Sequence, residues 1–164
     1  YNRRKRIQRL SSNFELITLK IFKMKFTRKA SAAWKGSGKE GSGYLTTGSN
    51  VLDKTPYSFH TRFEDGEKGT NPEELIGAAH AGCFAMQLSF LLNEADFTAT
   101  SIEVAANVTF EDGVITKIGL NLEGDVPNID AEQFQQIAQN AKEVCPISKL
   151  LNTEIELKVT LKTA

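Results

Sequence analysis

Apolar side chains recur along this chain with two periods, and the period changes from segment to segment. From Tyr57 to Phe63 (YSFHTRF) Tyr57, Phe59, Thr61 and Phe63 alternate with Ser58, His60 and Arg62, a period of two that predicts a strand. Ser101 to Phe110 places Ile102, Val104, Ala106 and Val108 on one face. Glu111-Asp112-Gly113 then turns, and Val114 to Leu122 returns as the partner strand. Glu154 to Leu161 (EIELKVTL) is the last strand. Near the start, Lys25 to Trp34 and Tyr44 to Thr47 flank the Gly- and Ser-rich KGSGKEGSG and are expected to pair as a hairpin.

Two segments carry helix signals. Asn71-Pro72-Glu73-Glu74 puts a capping residue, a proline at the first position and two acids in the first turn, so a helix starts here and runs to about Asn93 or Asp96. Its middle is apolar nearly all round, which predicts a buried central helix. Gly77, Ala78, Ala79, Ala81, Gly82 and Ala85 leave little side-chain bulk, so another backbone can come close. Asp130 caps a second helix, Ala131 to about Val144, with Phe134, Ile137, Ala138 and Ala141 on one face. Cys145-Pro146 interrupts it, and Ile147 to Leu151 forms a further short turn. Three strands, a helix, two strands, a helix and a strand predict an α+β domain, antiparallel sheets wrapped around two central helices.

Composition adds little to this. With 164 residues, 40% hydrophobic and 24% charged, the chain suits one domain with a real core, and it has no uninterrupted apolar run of about 18 residues to span a membrane. Charge is more informative. The net value is zero, yet residues 1–23 carry seven basic residues against the single Glu15, leaving the remainder mildly acidic. Such an arm attracts phosphates without regard to sequence. Met24, however, opens MKFTRKASAAW, and Glu15 and Lys20 break the apolar stretch that a secretory signal needs. We therefore expect residues 1–23 to be a leader or an expression-derived segment, residues 24–164 to be the domain, and no nucleic-acid or membrane partner. A cytoplasmic location is the default expectation, and two cysteines in a reducing compartment do not suggest a permanent bridge.

The candidate chemistry centres on Cys83. A mid-helix cysteine among apolar neighbours is ordinarily inert, because burial raises its pKa. Here His80 precedes it by three positions and Gln87 follows by four, so it lies in a polar stripe; Glu73, His80, Gln87 and Glu94 are spaced by sevens near one face. A thiolate nucleophile needs a cation nearby, since at a pKa of about 8.5 only about 3% of a thiol is ionised at pH 7. Arg62 is the better candidate of the pair His60 and Arg62, because guanidinium stays charged and can bond a thiolate and a carboxylate together. A surface pairing of Arg62 with Glu64 or Glu67 fits the same residues. Glu73 can orient Arg62 or simply stabilise the helix start. Ten helical residues separate Glu73 from Cys83 by about 15 Å, so one straight helix cannot bring them together. Either the helix breaks or a second chain contributes, and the small-residue face favours a homodimer with shared sites. Cys145, at the start of a short helix, is either a second reactive thiol or a buried helix-end cysteine. The two His and two Cys lack metal-ligand spacing, and no glycine fingerprint for a nucleotide is present, so no metal or cofactor is expected.

RFEDGEKGTNPEELIGAAHAGCF followed by VCPISKLLNTEIEL resembles the OsmC/Ohr family of peroxiredox proteins, and its OsmC branch in particular, over Met24 to Thr163. The resemblance implies an intertwined homodimer with sites at the subunit interface and a thiol-dependent peroxidase acting on organic hydroperoxides. It further implies Cys83 as the peroxidatic cysteine, Cys145 as the resolving one joined to it by a disulfide, and Arg62 and Glu73 as the pair that holds the thiolate. Family members use dithiols as reductant, lipoyl groups among them. Phe84 and Phe90 are expected to form apolar walls that favour alkyl hydroperoxides over hydrogen peroxide. Two alternatives stand beside this: a cysteine hydrolase using Cys83 and His80, and a non-catalytic dimeric module that senses redox state or binds a small ligand.

Overall fold

The computed structural model describes residues 25–64 and 66–162, so the segment expected to be a leader lies outside the described residues. The described residues form two compact units, one from 25–33 with 44–55, the other from 34–43 with 56–64 and 66–162. Strands β1 (Ala30–Lys35), β2 (Ser42–Thr47) and β3 (Thr55–Ser58) come first along the described chain. In the smaller unit the turn after β2 is closed by the Thr47 N–H donating to the Leu52 carbonyl, and the Gly48 N–H donates to the Lys29 carbonyl.

The larger unit holds helix α1 (Phe59–Phe63), helix α2 (Pro72–Glu94), strands β4 (Ser101–Glu111) and β5 (Val114–Asp125), helix α3 (Ala131–Val144), helix α4 (Pro146–Leu150) and strand β6 (Glu154–Leu161). The strands pair in the order β4-β5-β6. β4 and β5 are an antiparallel hairpin closed by Asp112 and Gly113, both at positive φ, as a two-residue turn matched to the strand twist requires. β6 departs from the antiparallel expectation and runs parallel to β5, Ile118 beside Ile155 and Leu122 beside Val159. The reason is the connection: the two strands are joined across α3 and α4, and a helical crossover returns the chain in the same direction. The α+β class stands.

The core forms where three periodicities meet. Phe84, Leu88 and Leu92 descend α2 at intervals of four, Ile118, Leu120 and Leu122 alternate along β5, and Phe134, Ala138 and Ala141 line α3. Gly124 has no Cβ because the Phe134 ring occupies that place. At Gly77, where α2 meets β4, an added Cβ would lie 3.4 Å from Val108, an ordinary contact, so the packing there does not demand glycine.

Two expectations need correction. Tyr57 to Phe63 is not one strand: β3 ends at Ser58 and Phe59–Phe63 is helical. Ser58 and Thr61 cap that turn reciprocally, the Thr61 N–H donating to Ser58 Oγ at 3.1 Å and the Ser58 N–H donating to Thr61 Oγ1 at 2.8 Å. Phe59 and Phe63 then stack one turn apart with centroids 4.7 Å apart, a pairing that helical i,i+4 geometry offers as readily as alternation does. The second correction concerns α2. It is long and apolar enough to cross a membrane by length and composition alone, although its sequence lacks an uninterrupted apolar run. In this fold it packs on β4, α3 and α4. Only the stripe Gly77, His80, Phe84, Leu88 and Leu92 is buried, while Ala78, Ala79, Gly82, Met86 and Phe90 are exposed.

Candidate active site

α2 places Cys83 one position before buried Phe84, and α3 ends at Cys145, which is also the cap of α4. Where α4 packs against α2 the two sulfurs are unbonded and 3.3 Å apart, the Cys145 thiol donating to Cys83 Sγ. Their accessibility differs: Cys145 is fully buried and Cys83 only partly. A reagent from solution therefore meets Cys83 first. Burial pushes the Cys83 thiol up. The Ile147 backbone N–H, at the start of α4, hydrogen-bonds the sulfur and pulls the other way, while the neighbouring Cys145 adds to the rise. The Ile147 N–H at the start of the short helix thus serves Cys83. The thiol remains harder to ionise than an ordinary one.

His80, expected beside the cysteine, is fully buried and turned elsewhere. Its Nε2 lies 2.8 Å from Ser148 Oγ on α4, and its Nδ1 has no hydrogen-bond partner among the described residues. Burial holds its pKa below the usual histidine value, so the ring is neutral near pH 7. A hydrolase base must bond its nucleophile, and this histidine bonds a serine on another helix. Phe84 is likewise in the core and cannot wall a substrate site.

Arg62 and Glu73 do meet. The Arg62 Nε donates to both carboxylate oxygens of Glu73 at 3.2 and 3.1 Å, and Nη2 donates to Oε1 at 2.5 Å. Neither Glu64 nor Glu67 takes Arg62; Glu64 bonds His60 Nδ1 instead at 2.9 Å. The pairing depends on α1 being a helix anchored to the start of α2. Asn71 accepts the Glu74 N–H with its side-chain oxygen and donates its amide to the Thr61 carbonyl, and Thr61 Oγ1 donates to the Thr70 carbonyl. Two rings seat the guanidinium, with Phe63 and Phe110 centroids 5.2 and 5.0 Å from its carbon. Burial alone would raise the Glu73 pKa, but the Arg62 hydrogen bonds and the backbone N–H outweigh it and hold the carboxyl below its ordinary value. Glu73 in turn raises Arg62. The pair borders an open cleft of about 940 Å³ lined by Phe63, Gly77, Ala78, Ala81, Val108 and Phe110 among others. Sequence periodicity pointed to neither aromatic as a seat for Arg62, nor to Ser148; all three become visible only when separate elements are packed together.

Cys83 does not line this cleft, and α2 runs unbroken from Pro72 to Glu94. The helix thus carries Glu73 and Cys83 about 15 Å apart along its axis. Among the described residues no group of three or more His, Cys, Asp or Glu side chains is gathered to hold a metal ion.

The fold and these two clusters define an α+β dithiol protein with a separate, pre-formed guanidinium–carboxylate pair. Residues 64–160 match the family model described as OsmC-like protein. The chain is 52% identical over 144 residues to the Peroxiredoxin OsmC of Escherichia coli strain K12, covering 85% of this chain and all of that relative. It is 31% identical over 125 residues to the organic hydroperoxide resistance protein OhrB of Bacillus subtilis strain 168, covering 74% of this chain and 90% of that relative. The crystal structure of the B. subtilis OhrB superimposes with a TM-score of 0.62 at 30% identity, covering 84% of this chain and 98% of that one. The chain belongs to the OsmC-like family.

Proposed function

We propose that this chain is a thiol-dependent peroxidase that reduces organic hydroperoxides, working as a homodimer in which Arg62 and Glu73 of one copy serve Cys83 of the other. The names of its relatives, a peroxiredoxin and an organic hydroperoxide resistance protein, support the reaction class. One observation carries the shared site: among the described residues Cys83 has no cation beside it and the Arg62–Glu73 pair has no thiol, while one unbroken helix keeps Glu73 and Cys83 about 15 Å apart. Cys83, whose burial disfavours ionisation, has no partner charge among the described residues. Arg62, pinned by Glu73 and facing an open cleft, has charge to offer. The exposed stripe Ala78, Ala79, Gly82, Met86 and Phe90 on α2 is the surface through which two copies would meet.

In this mechanism the Cys83 thiolate attacks the terminal oxygen of a hydroperoxide ROOH. The O–O bond breaks, an S–O bond forms, sulfur loses two electrons, and the departing alkoxide takes a proton to leave as the alcohol. The resulting sulfenic acid condenses with the Cys145 thiol, forming the Cys83–Cys145 disulfide and releasing water. A dithiol, with lipoyl groups as one chemical example, then reopens the disulfide by exchange. Arg62 stabilises negative charge on the sulfur and on the departing oxygen, and Glu73 fixes its fork. Phe63, Phe110 and Val108 give the cleft apolar walls that favour an alkyl chain over hydrogen peroxide. Equal turnover of hydrogen peroxide and cumene hydroperoxide would remove that preference.

Complementation tests the shared site. Cys83→Ser and Arg62→Ala chains are each assayed for peroxide consumption with a dithiol donor, then unfolded together and refolded as a mixture. One intact site per mixed dimer restores activity that neither parent has. A mixture as inactive as its parents, with mixed dimers shown by mass, sinks the arrangement.

A further inference from the structure

The reaction above accounts for the two cysteines, Arg62 and Glu73, and it leaves buried His80 and half-buried Ser148 without a role. His80 is fully buried on α2 one turn before Cys83, and Ser148 is three residues beyond Cys145 on α4. Their 2.8 Å contact is a side-chain hydrogen bond between the two elements that carry the two sulfurs, spanning 68 positions of sequence. The other ring nitrogen, Nδ1, is buried with no partner among the described residues. The ring is thus held through Nε2 alone, which makes the serine hydroxyl its one polar anchor. Helix α4 is five residues long and has no fully buried side chain of its own, so besides its buried cap Cys145 it is held by half-buried Ile147, by the Ile147 N–H bond to Cys83 and by this clasp.

We propose that His80 and Ser148 are positioning residues for the second chemical step, a clasp that holds α4 on α2 and so keeps the Cys145 thiol within reach of Cys83. This rests on the peroxidase reading for its kinetic consequence but not for its geometry. The first step, attack of Cys83 on peroxide, does not need Cys145, and of α4 it uses only the Ile147 N–H that bonds the sulfur. Condensation does: the sulfurs must close from 3.3 Å to a bond of about 2.0 Å while the sulfenic oxygen leaves with two protons as water. A clasp on the same short helix keeps that approach brief in distance and direction. Without it, Cys145 samples positions away from Cys83, and the waiting sulfenic acid is open to a second peroxide, which would oxidise it to the sulfinic acid.

Ser148→Ala removes the bond with a small change on a partly exposed helix, and Ser148→Thr restores a hydroxyl. Two measurements are needed. In rapid mixing with cumene hydroperoxide, Ser148→Ala should lose its Cys83 thiolate at a rate within about twofold of wild type and form the disulfide about tenfold more slowly. Sulfinic acid at Cys83 should rise in mass spectra, and Ser148→Thr should recover most of the rate. In dithiothreitol redox buffers without peroxide, Ser148→Ala should shift the Cys83–Cys145 equilibrium about tenfold toward the dithiol, or about 30 mV. His80→Gln, if it folds, should move the same two readouts in the same direction. Disulfide formation and equilibrium both unchanged in a folded Ser148→Ala overturn the clasp, as does equal slowing of both steps. If wild-type protein consumes no peroxide, the peroxidase reading fails, and the buffer equilibrium alone still decides the clasp.

Discussion

The cysteine cluster and the arginine cleft are opposite in nearly every physical respect. Cys83 and Cys145 sit against Phe84, Leu88 and the rest of the core, with a helix-start N–H but no charged side chain bonded to either sulfur. Arg62 and Glu73 sit at the rim of an open cleft, charged, bidentate and framed by aromatic rings. Burial keeps a thiol protonated, whereas an opposite charge makes it ionise. A site with only the first property stores two thiols safely, and one with only the second has charge and nothing to act on. In the proposed dimer two chains bring the halves together, and an unassembled chain would carry no activated thiol.

The largest predicted effects separate the two sulfurs. Cys83→Ser should reduce peroxide consumption to background and give no intramolecular disulfide. Cys145→Ser should still consume one equivalent of peroxide and then stop, its sulfenic acid trapped by dimedone and seen by mass. An equal loss of the first equivalent in both variants would erase the distinction between exposed and buried thiol.

On the other half, Arg62→Ala should lower kcat/KM by about 10²- to 10³-fold, the usual loss on removing a donor aimed at developing charge. Arg62→Lys should recover only a part, because an ammonium cannot make the two-nitrogen grip on Glu73 or lie flat over Phe63 and Phe110. Thiol alkylation by iodoacetamide against pH locates the effect: Arg62→Ala should react with an upward-shifted pH midpoint. A midpoint unmoved in a dimeric Arg62→Ala protein would detach the cation from the thiol.

Much of the cysteine half was legible in the sequence, because its signals are local. Asn71 and Asp130 cap helices by accepting the N–H three residues on, Glu74 and Gln133, and that geometry needs nothing from the rest of the fold. The core face of α3 follows from spacing alone; that of α2 does not, because this helix is apolar nearly all round and its buried stripe includes His80. The arginine half was harder. Tyr57 to Phe63 satisfied a strand pattern and a capped helical turn at once, and the Ser58/Thr61 capping pair decided it. The Arg62–Glu73 pair came from family resemblance, not periodicity, since Glu64 and Glu67 offered nearer carboxylates. β6 parallel to β5 was hidden because alternation reports a strand's faces and not its direction. Ser148 looked like one more polar residue in a short turn. Its partner is 68 positions away, beyond the reach of any local pattern.

Stability should divide along the same line. Gly124→Ala would drive a Cβ into the Phe134 ring in the core beneath the cysteine half. Overpacking of this kind costs about 1–3 kcal/mol, read as a lower urea midpoint at unchanged m-value. Gly82→Ala, whose Cβ meets no neighbour among the described residues, should leave the midpoint of the isolated chain unchanged or raise it through helix propensity. The contrast is sharper in the dimer. If the exposed stripe of α2 is the meeting surface, Gly82→Ala should weaken association in sedimentation while Gly124→Ala does not.

The smallest effect is the pH dependence that the Arg62–Glu73 pair adds. The Glu73 carboxyl is held below its ordinary value, so folding favours its ionised form. The contribution is then fully present above the unfolded value of about 4.3, declines as pH falls through that value toward the lower folded one, and is absent below it. Because Arg62 is about a third exposed, solvent screening limits the gain to about 1 kcal/mol or less. Urea unfolding of wild type and Glu73→Gln between pH 6 and about pH 3 isolates it. The difference between the two proteins should shrink on acidification, and added salt should shrink it further at neutral pH. A difference that grows as pH falls would mean that Glu73 is carried in the fold as a neutral acid. Arg62 would then lose its fixed partner, and the cleft its claim to be the pre-formed half of the site.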